Sequence, residues 1–444
     1  VIDLDAVKKK YEGLDGTELA ISESQERMAV VINKKDVEAF CKAADEENLE
    51  TAVVAVVTDN RRLVMNWRQN TIVNLSRDFL DTNGVKQHIN VVVETPAKET
   101  CYLDHIPGKV AALAPDLEKA WLENLKDLNV CSQKGLAERF DSSIGGNSVL
   151  MPFGGKNQLT PTEGMVAKLP VIGAETTTAT AMTYGYNPYL MEWSPFHGAM
   201  YAVIESVAKM VALGGRADKI RLTFQEYFES LGTDSRKWGR PFAALLGALW
   251  AQHQLEIPAI GGKDSMSGTF MDLTVPPTLT SFAVDVMKAD NALSPEFKVA
   301  GSKFYYVPMP KDKLAMPDFR KLRDTYEKVS NFIAAKKVFA ASSVRMGGTA
   351  AAITKMCLGN GIGFRFNSKP SMEDLFKADY GALILEVAPD SDIKEALAGT
   401  GCYELGTTTQ NSNIVAGEAV IGFAEAKKAY TSPLEKIFPT KVKV

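Results

Sequence analysis

The residues with the most chemical content are Gly261, Gly262, Lys263, Asp264, Ser265, Met266, Ser267 and Gly268, reached from the apolar run Ile257-Pro258-Ala259-Ile260. A strand that ends in two glycines lets main chain come close to a ligand, because glycine carries no Cβ. Beyond the glycines, the Lys263 ammonium can neutralise a phosphate. The hydroxyls of Ser265 and Ser267 can donate to phosphate oxygens, and Asp264 can hold a divalent cation. The segment is not a Walker loop: Ile257 stands where the first glycine of that loop belongs, and Asp264 follows the lysine in place of Ser or Thr. A phosphorylated ligand suits these residue types. So does a surface turn with solvated charges, and spacing alone leaves both open.

A second group starts at Tyr184-Gly185-Tyr186-Asn187-Pro188 and leads through His197 into a helix carrying Glu205 and Lys209. These two are four apart and share a helical face. If that face lines a cleft, Glu205 can bind Mg²⁺; if it meets water, the pair is an ordinary surface salt bridge. His197, set between Phe196 and Gly198, reads as a structural histidine, and His88, His105 and His253 have no metal-ligand spacing. No cysteine lies in a Gly-x-Cys-x-Gly elbow, so a nucleophile for glutamine hydrolysis is not found in this chain.

Elements that would position these groups follow from periodicity. Arg27–Ile32 is a short apolar β-branched run, residues 34–48 read as a helix, and strands are expected over 51–57, 62–66 and 71–75. A charged helix over 116–128 lies in a Pro-containing stretch and reads as a connector. From Cys131 to Asp290 the chain is rich in Gly, Thr and Ala, with a strand over 176–182 and helices over 199–213 and 241–253. A last domain begins with a strand over 304–307, has helices over 318–336 and 349–358, and closes with a strand over 380–387, a helix from Pro389 to Leu397 and extended chain from Cys402. The order of elements in residues 1–95 and 370–444 is alike, which reads as duplication of one unit.

With 444 residues the chain is expected to form two or three domains. At 45% hydrophobic and 23% charged residues it has the balance of a packed globular protein. A net charge of −4 without a basic stripe argues against nucleic acid. No run approaches the ~20 apolar residues of a membrane span. The five scattered cysteines and the lack of a signal-peptide core point to a reducing, cytoplasmic setting. The first residue is Val1 rather than Met, which points to a longer parent.

Three segments together resemble the formylglycinamide ribonucleotide amidotransferase family, within the aminoimidazole ribonucleotide synthetase-like superfamily. They are Glu18 to Met28, Ile257 to Gly268 and Thr431 to Thr440. The resemblance implies an α/β (α+β) fold of alternating A-type and B-type domains. Residues 1–95 would be the C-terminal part of a first B-type domain, 96–130 a connector, 131–290 the second A-type domain and 291–444 the second B-type domain. It implies ATP and Mg²⁺ as cofactors and a phosphorylated ribonucleotide as substrate. Gly262, Lys263 and Ser265 match the segment that serves the catalytic nucleotide and substrate site. Lys134 and Glu205 match a lysine and a magnesium-binding glutamate of an auxiliary nucleotide site, where Lys209 replaces a frequent Asn. Arg345-Met346-Gly347-Gly348 departs from the family's Asp-Gly-Gly, and methionine is no ligand for a hard cation. The first A-type domain and the glutaminase domain have no counterpart here, so the expectation is an inactive half-site, with a homodimer as one way to cover the exposed sheet. The rivals are a free-standing ATP-dependent synthetase or kinase of the same superfamily, and a structural module without a ligand.

Overall fold

The computed structural model describes residues 1–9, 12–22, 27–82, 88–140, 145–389 and 391–441. Two compact units are present, Val1–Ile89 and Asn90–Val444.

In the first unit, strands Arg62–Trp67 and Asn70–Ser76 form a hairpin. Its two turn residues, Arg68 and Gln69, both have positive φ, the backbone of a turn whose twist matches the strands. Ile2–Asp3 adds in parallel against Met65 and Asn66. The helix expected over 34–48 is present as Val37–Glu46, entered through a turn of tighter helix at Lys34–Asp36. Two expected strands differ. Residues 51–57 contribute only a bridge between Ala55 and Ile2, and 27–32 forms no strand. A run of consecutive apolar residues needs cover on both faces, and this small sheet gives it none: Val31 is 83% exposed.

Residues 90–95 belong to the second unit rather than the first. The Val92 N–H donates to the Ser235 carbonyl (3.0 Å), and a Cβ on Gly239 would collide with the Val92 oxygen. The helix read as a connector is core. Leu117–Lys126 (α1), capped by Asp116, buries Ala120, Trp121 and Leu125 on one face. The Trp121 indole donates to Thr354 Oγ1 (2.8 Å) and the Asn124 amide to the Gly347 carbonyl (2.9 Å).

Two sheets share one continuous hydrophobic core in this unit. The first has β1 (Met165–Lys168), β2 (Thr178–Gly185), β3 (Arg221–Tyr227), β4 (Ala259–Lys263) and β5 (Thr278–Lys288), in the order β1-β2-β5-β3-β4. Pairing is antiparallel except for β3 with β4, so β4 is a parallel edge strand. Strand alternation sends Ala179, Ala181, Leu222, Leu279 and Ala283 to one face, where helices cover them. The other face is open and carries Met182, Tyr184, Tyr227 and Val286, all exposed.

The covering helices are α2 (Pro188–Trp193), α3 (Pro195–Leu213) and α4 (Ser235–Leu255). Helix α3 has Pro195 in its first turn, Ser194 as cap and Gly214 at φ 100° as its stop, and nearly all its residues are buried. It is the one helix among the described residues long and apolar enough to cross a membrane, and it is packed inside this core. Helix α4 turns Phe242, Leu245, Leu246, Leu249 and Trp250 outward.

The second sheet has β6 (Lys303–Val307), β7 (Val338–Ser343), β8 (Gly363–Phe366), β9 (Leu383–Val387), β10 (Tyr403–Thr409), β11 (Ile414–Ala416) and β12 (Ala419–Ile421), in the order β7-β9-β6-β10-β8-β11-β12. Helices α5 (Phe319–Ala334) and α6 (Gly348–Asn360) lie within two residues of their expected ends, while the helix expected from Pro389 shrinks to Ile393–Ala396. Gly347 and Gly348 both have positive φ, the conformation that glycine alone adopts freely, and so turn the chain sharply into α6.

Candidate functional site

The candidate residues fall into two places of opposite character. The first is the end of β4. The strand pairing sets Phe224 against Gly262 and Gln225 against Lys263. It continues through Ser265 N–H to the Glu226 carbonyl (3.0 Å) and Phe228 N–H to the Ser265 carbonyl (2.9 Å). Strand alternation therefore sets Lys263 and Ser265 toward the open face, beside Gln225 and Tyr227, and Asp264 toward the helix-covered face, beside Glu226. Lys263 and Asp264 are both exposed, and Ser265 is half-buried with its hydroxyl 3.1 Å from that of Ser267. Lys263 and Asp264 thus do not converge on one ligand group, as the sequence reading had allowed.

The two glycines differ. A Cβ on Gly262 would lie 2.6 Å from the Phe224 carbonyl, so that glycine is required by the neighbouring strand, whereas Gly261 faces open space.

The second place is inside the molecule. Glu205 and Lys209 are 4% and 1% exposed, so α3 presents them neither to a cleft nor to water. The Lys209 ammonium is 2.8 Å from Glu205 Oε1, donates to the Tyr184 carbonyl (2.7 Å) and sits 4.0 Å from the centre of the Tyr184 ring. The other Glu205 oxygen accepts the Tyr186 N–H (3.0 Å). Arg345 lies between two carboxylates, 4.0 Å from Glu205 and 3.9 Å from Glu163. Glu163 in turn accepts from the Ser342 hydroxyl (2.9 Å) and from the Ser343 N–H and hydroxyl (3.1 and 2.6 Å). Lys355 completes the group: burial, followed by the Arg345 charge, pushes its ammonium down to about 7.

Glu205 therefore has its oxygens taken by an ammonium, a guanidinium and a main-chain N–H. This does not fit a magnesium ligand, and Lys209 in the same contacts does not face a nucleotide. Lys134 is directed elsewhere, with its ammonium on the Gln158 carbonyl (3.0 Å) and beside Glu138 (3.5 Å).

His197 is structural, as expected. A carbonyl can only accept, so its contact to Leu314 O (3.2 Å) fixes the proton on Nε2, and Ser194 Oγ donates to Nδ1 (2.8 Å). Burial lowers its pKa from the usual value.

Sequence reasoning missed Glu163, Lys355 and Glu226 and gave Arg345 no role. A signal existed for two of them. Lys355 is a lone charge in the apolar helix α6, and Glu226 occupies an inward strand position that follows Leu222 and Phe224. Glu163 lies in a loop without periodicity.

Residues 1–68 match the family model described as AIR synthase related protein, C-terminal domain. Solved structures agree in fold. Thermotoga maritima PurL complexed with FGAR superposes over 92% of this chain and 57% of that one, with a TM-score of 0.62 at 19% identity; its ATP complex gives 0.60 at 18%, covering 92% and 59%. The fold is thus α/β and aminoimidazole ribonucleotide synthetase-like.

In sequence the chain is similar to phosphoribosylformylglycinamidine synthase subunit PurL over most of its length. The subunit of Thermoplasma acidophilum is 24% identical over 88% of this chain and 52% of its own length, and that of Picrophilus torridus 25% identical over 98% and 59%. The chain spans little more than half the length of these relatives.

Proposed function

We propose that this chain is the second half of the synthetase region of phosphoribosylformylglycinamidine synthase. The whole enzyme would be an ATP-dependent carbon–nitrogen ligase of purine biosynthesis. In that reaction the formyl amide oxygen of formylglycinamide ribonucleotide attacks the γ-phosphorus of ATP and releases ADP. Glutamine-derived ammonia then adds to the imidate carbon, and phosphate leaves. Residues 1–95 would end the first B-type domain, 131–290 form the second A-type domain and 291–444 the second B-type domain. The match of residues 1–68 to a C-terminal-domain family model supports the first of these assignments.

The observation that carries the reading is the edge position of Lys263 and Ser265, on an open sheet face beside a strand with a free side. There Lys263 would supply positive charge to a phosphate and Ser265 a hydroxyl donor, an electrostatic role that needs positioning more than covalent chemistry. A first A-type domain and a glutaminase domain, outside this chain, would complete the site; a second copy of the chain is the other candidate for covering the open face. In the complete enzyme, Lys263→Ala is expected to lower turnover at least about tenfold, or ~1.4 kcal/mol, and turnover near the parent's would refute the role. The isolated chain is expected to be folded and inactive.

The interior charge cluster supports a second statement about the same protein: the auxiliary nucleotide site is replaced by built-in cations, so that Lys209 and Arg345 occupy the electrostatic place of magnesium. Calorimetry with ADP and Mg²⁺ is expected to give no heat at millimolar nucleotide. Met346→Asp is expected to leave that result unchanged, because Glu205 stays bound to Lys209; measurable binding would show that the pocket persists.

A further inference from the structure

We infer that Glu226 and Asp264 form a site for a hard divalent cation on the covered side of the β3–β4 pair, separate from the open-face position of Lys263 and Ser265. Glu229 is held by Lys237 and Arg240, both at 2.8 Å; Asp285 accepts from the Arg216 N–H (2.8 Å); Glu386 accepts from the Lys298 and Val299 N–H groups (2.8 and 3.0 Å). Glu163 and Glu205 are satisfied within the interior cluster.

Glu226 is 6% exposed and, among the described residues, has no hydrogen-bond or ion-pair partner for its side chain; Oε1 is fully enclosed and unpartnered. A buried polar atom left in this way costs about 1–3 kcal/mol, and more when charged. Glu296 also has one enclosed oxygen without a partner, Oε2, but its Oε1 meets Lys298 and the Ser294 hydroxyl; among the described buried acids Glu226 alone has neither oxygen met, on a strand whose preceding inward positions are Leu222 and Phe224.

The register supplies a partner. Asp264 lies directly across from Glu226 on the adjacent parallel strand, and laterally paired residues on strands ~4.8 Å apart project from the same face. Unpartnered burial and the neighbouring Asp264 carboxylate both act against the charge on Glu226. A cation between them removes both penalties. Lys263 points to the other face and does not compete for the place, while Asp264, being exposed, gives an ion an entry path.

Among the described residues no group of three or more His, Cys, Asp or Glu side chains is gathered to hold a metal. That argues for an ion of the Mg²⁺ kind, which keeps several waters and takes one or two protein carboxylates, rather than for zinc, which wants nitrogen and sulfur donors. This inference does not rest on the assignment of the reaction.

The test uses Mn²⁺ as the probe. The purified chain is titrated with MnCl₂ at neutral pH, bound ion is read by electron paramagnetic resonance, and Mg²⁺ is added as competitor. One site displaceable by Mg²⁺ is expected. Asp264→Asn, at an exposed position that leaves folding intact, should weaken it about tenfold or more, in the range seen when a metal site loses a supporting group. Glu226→Gln should do the same with an unchanged circular dichroism spectrum, and Glu256→Gln, a surface change, should leave binding as it was. Absence of a bound ion, or equal affinity in the Asp264→Asn chain, overturns the proposal.

Discussion

The two candidate regions use similar residues in opposite ways. Around Glu205 the acids and bases are matched inside the protein, with donors and acceptors filled by neighbours on α3, β2, β7 and the turn before α6. At the end of β4, Lys263 and Asp264 stand exposed, and Glu226 behind them is unpartnered. A lysine and a glutamate four apart on a helix, and a lysine and an aspartate in a glycine-rich turn, are equally suggestive as strings. Environment separates them: charges already neutralised within the fold hold it together, and charges left without partners are available to something else.

The largest effect expected from breaking this contrast is at Lys209. Removing one member of a buried ion pair strands the other, at a cost of about 3–5 kcal/mol, so Lys209→Ala should lower unfolding free energy by that amount in a urea titration. The double change Glu205→Leu with Lys209→Met removes both charges and should recover most of it; failure to recover would mean the pair contributes more than mutual neutralisation.

At Lys263 the order reverses. Lys263→Ala should shift stability by less than about 0.5 kcal/mol, as surface changes do, while lowering turnover of the complete enzyme as stated above. A loss of stability as large as at Lys209 would erase the distinction.

A third test concerns pH. Lys355 has its pKa pushed down to about 7 from 10.5, so between those values the unfolded chain holds a proton that the folded chain has released. Stability therefore rises with pH across that window, and below about 7 the full cost of burying the ammonium applies. Lys355→Met should stabilise most below pH 7, with the gain shrinking toward pH 10, as read from denaturant midpoints; a gain independent of pH would exclude this cause.

The smallest effect is the exposed pair Arg323–Glu256, whose removal should cost about 1 kcal/mol or less despite a bidentate contact.

Much of this was legible in the chain. Helices α3, α5 and α6 and the strands around 62–75 follow from periodicity, and the Ile257–Gly268 segment and the family resemblance are carried by residue types. What was not legible depended on long-range packing. The charged helix at 117–126 looked like a linker because its polar face dominates, yet Trp121 anchors it to Thr354 far along the chain. The Glu205–Lys209 pair has the same spacing on a surface helix as on a buried one, and only the second layer around α3 decides which it is. Arg345 and Glu163 become neighbours only when two distant loops meet. Strand parity, which divides Lys263 from Asp264, required the register of β4 on β3.

Among the described residues strand β4 has a neighbour on one side only, so along its other side a row of main-chain donors and acceptors is left for a further strand. Whatever segment zips onto it brings its own side chains level with Lys263 in the same movement. Association along that edge then follows mass action, growing with the concentration of the complementary segment and reversing on dilution.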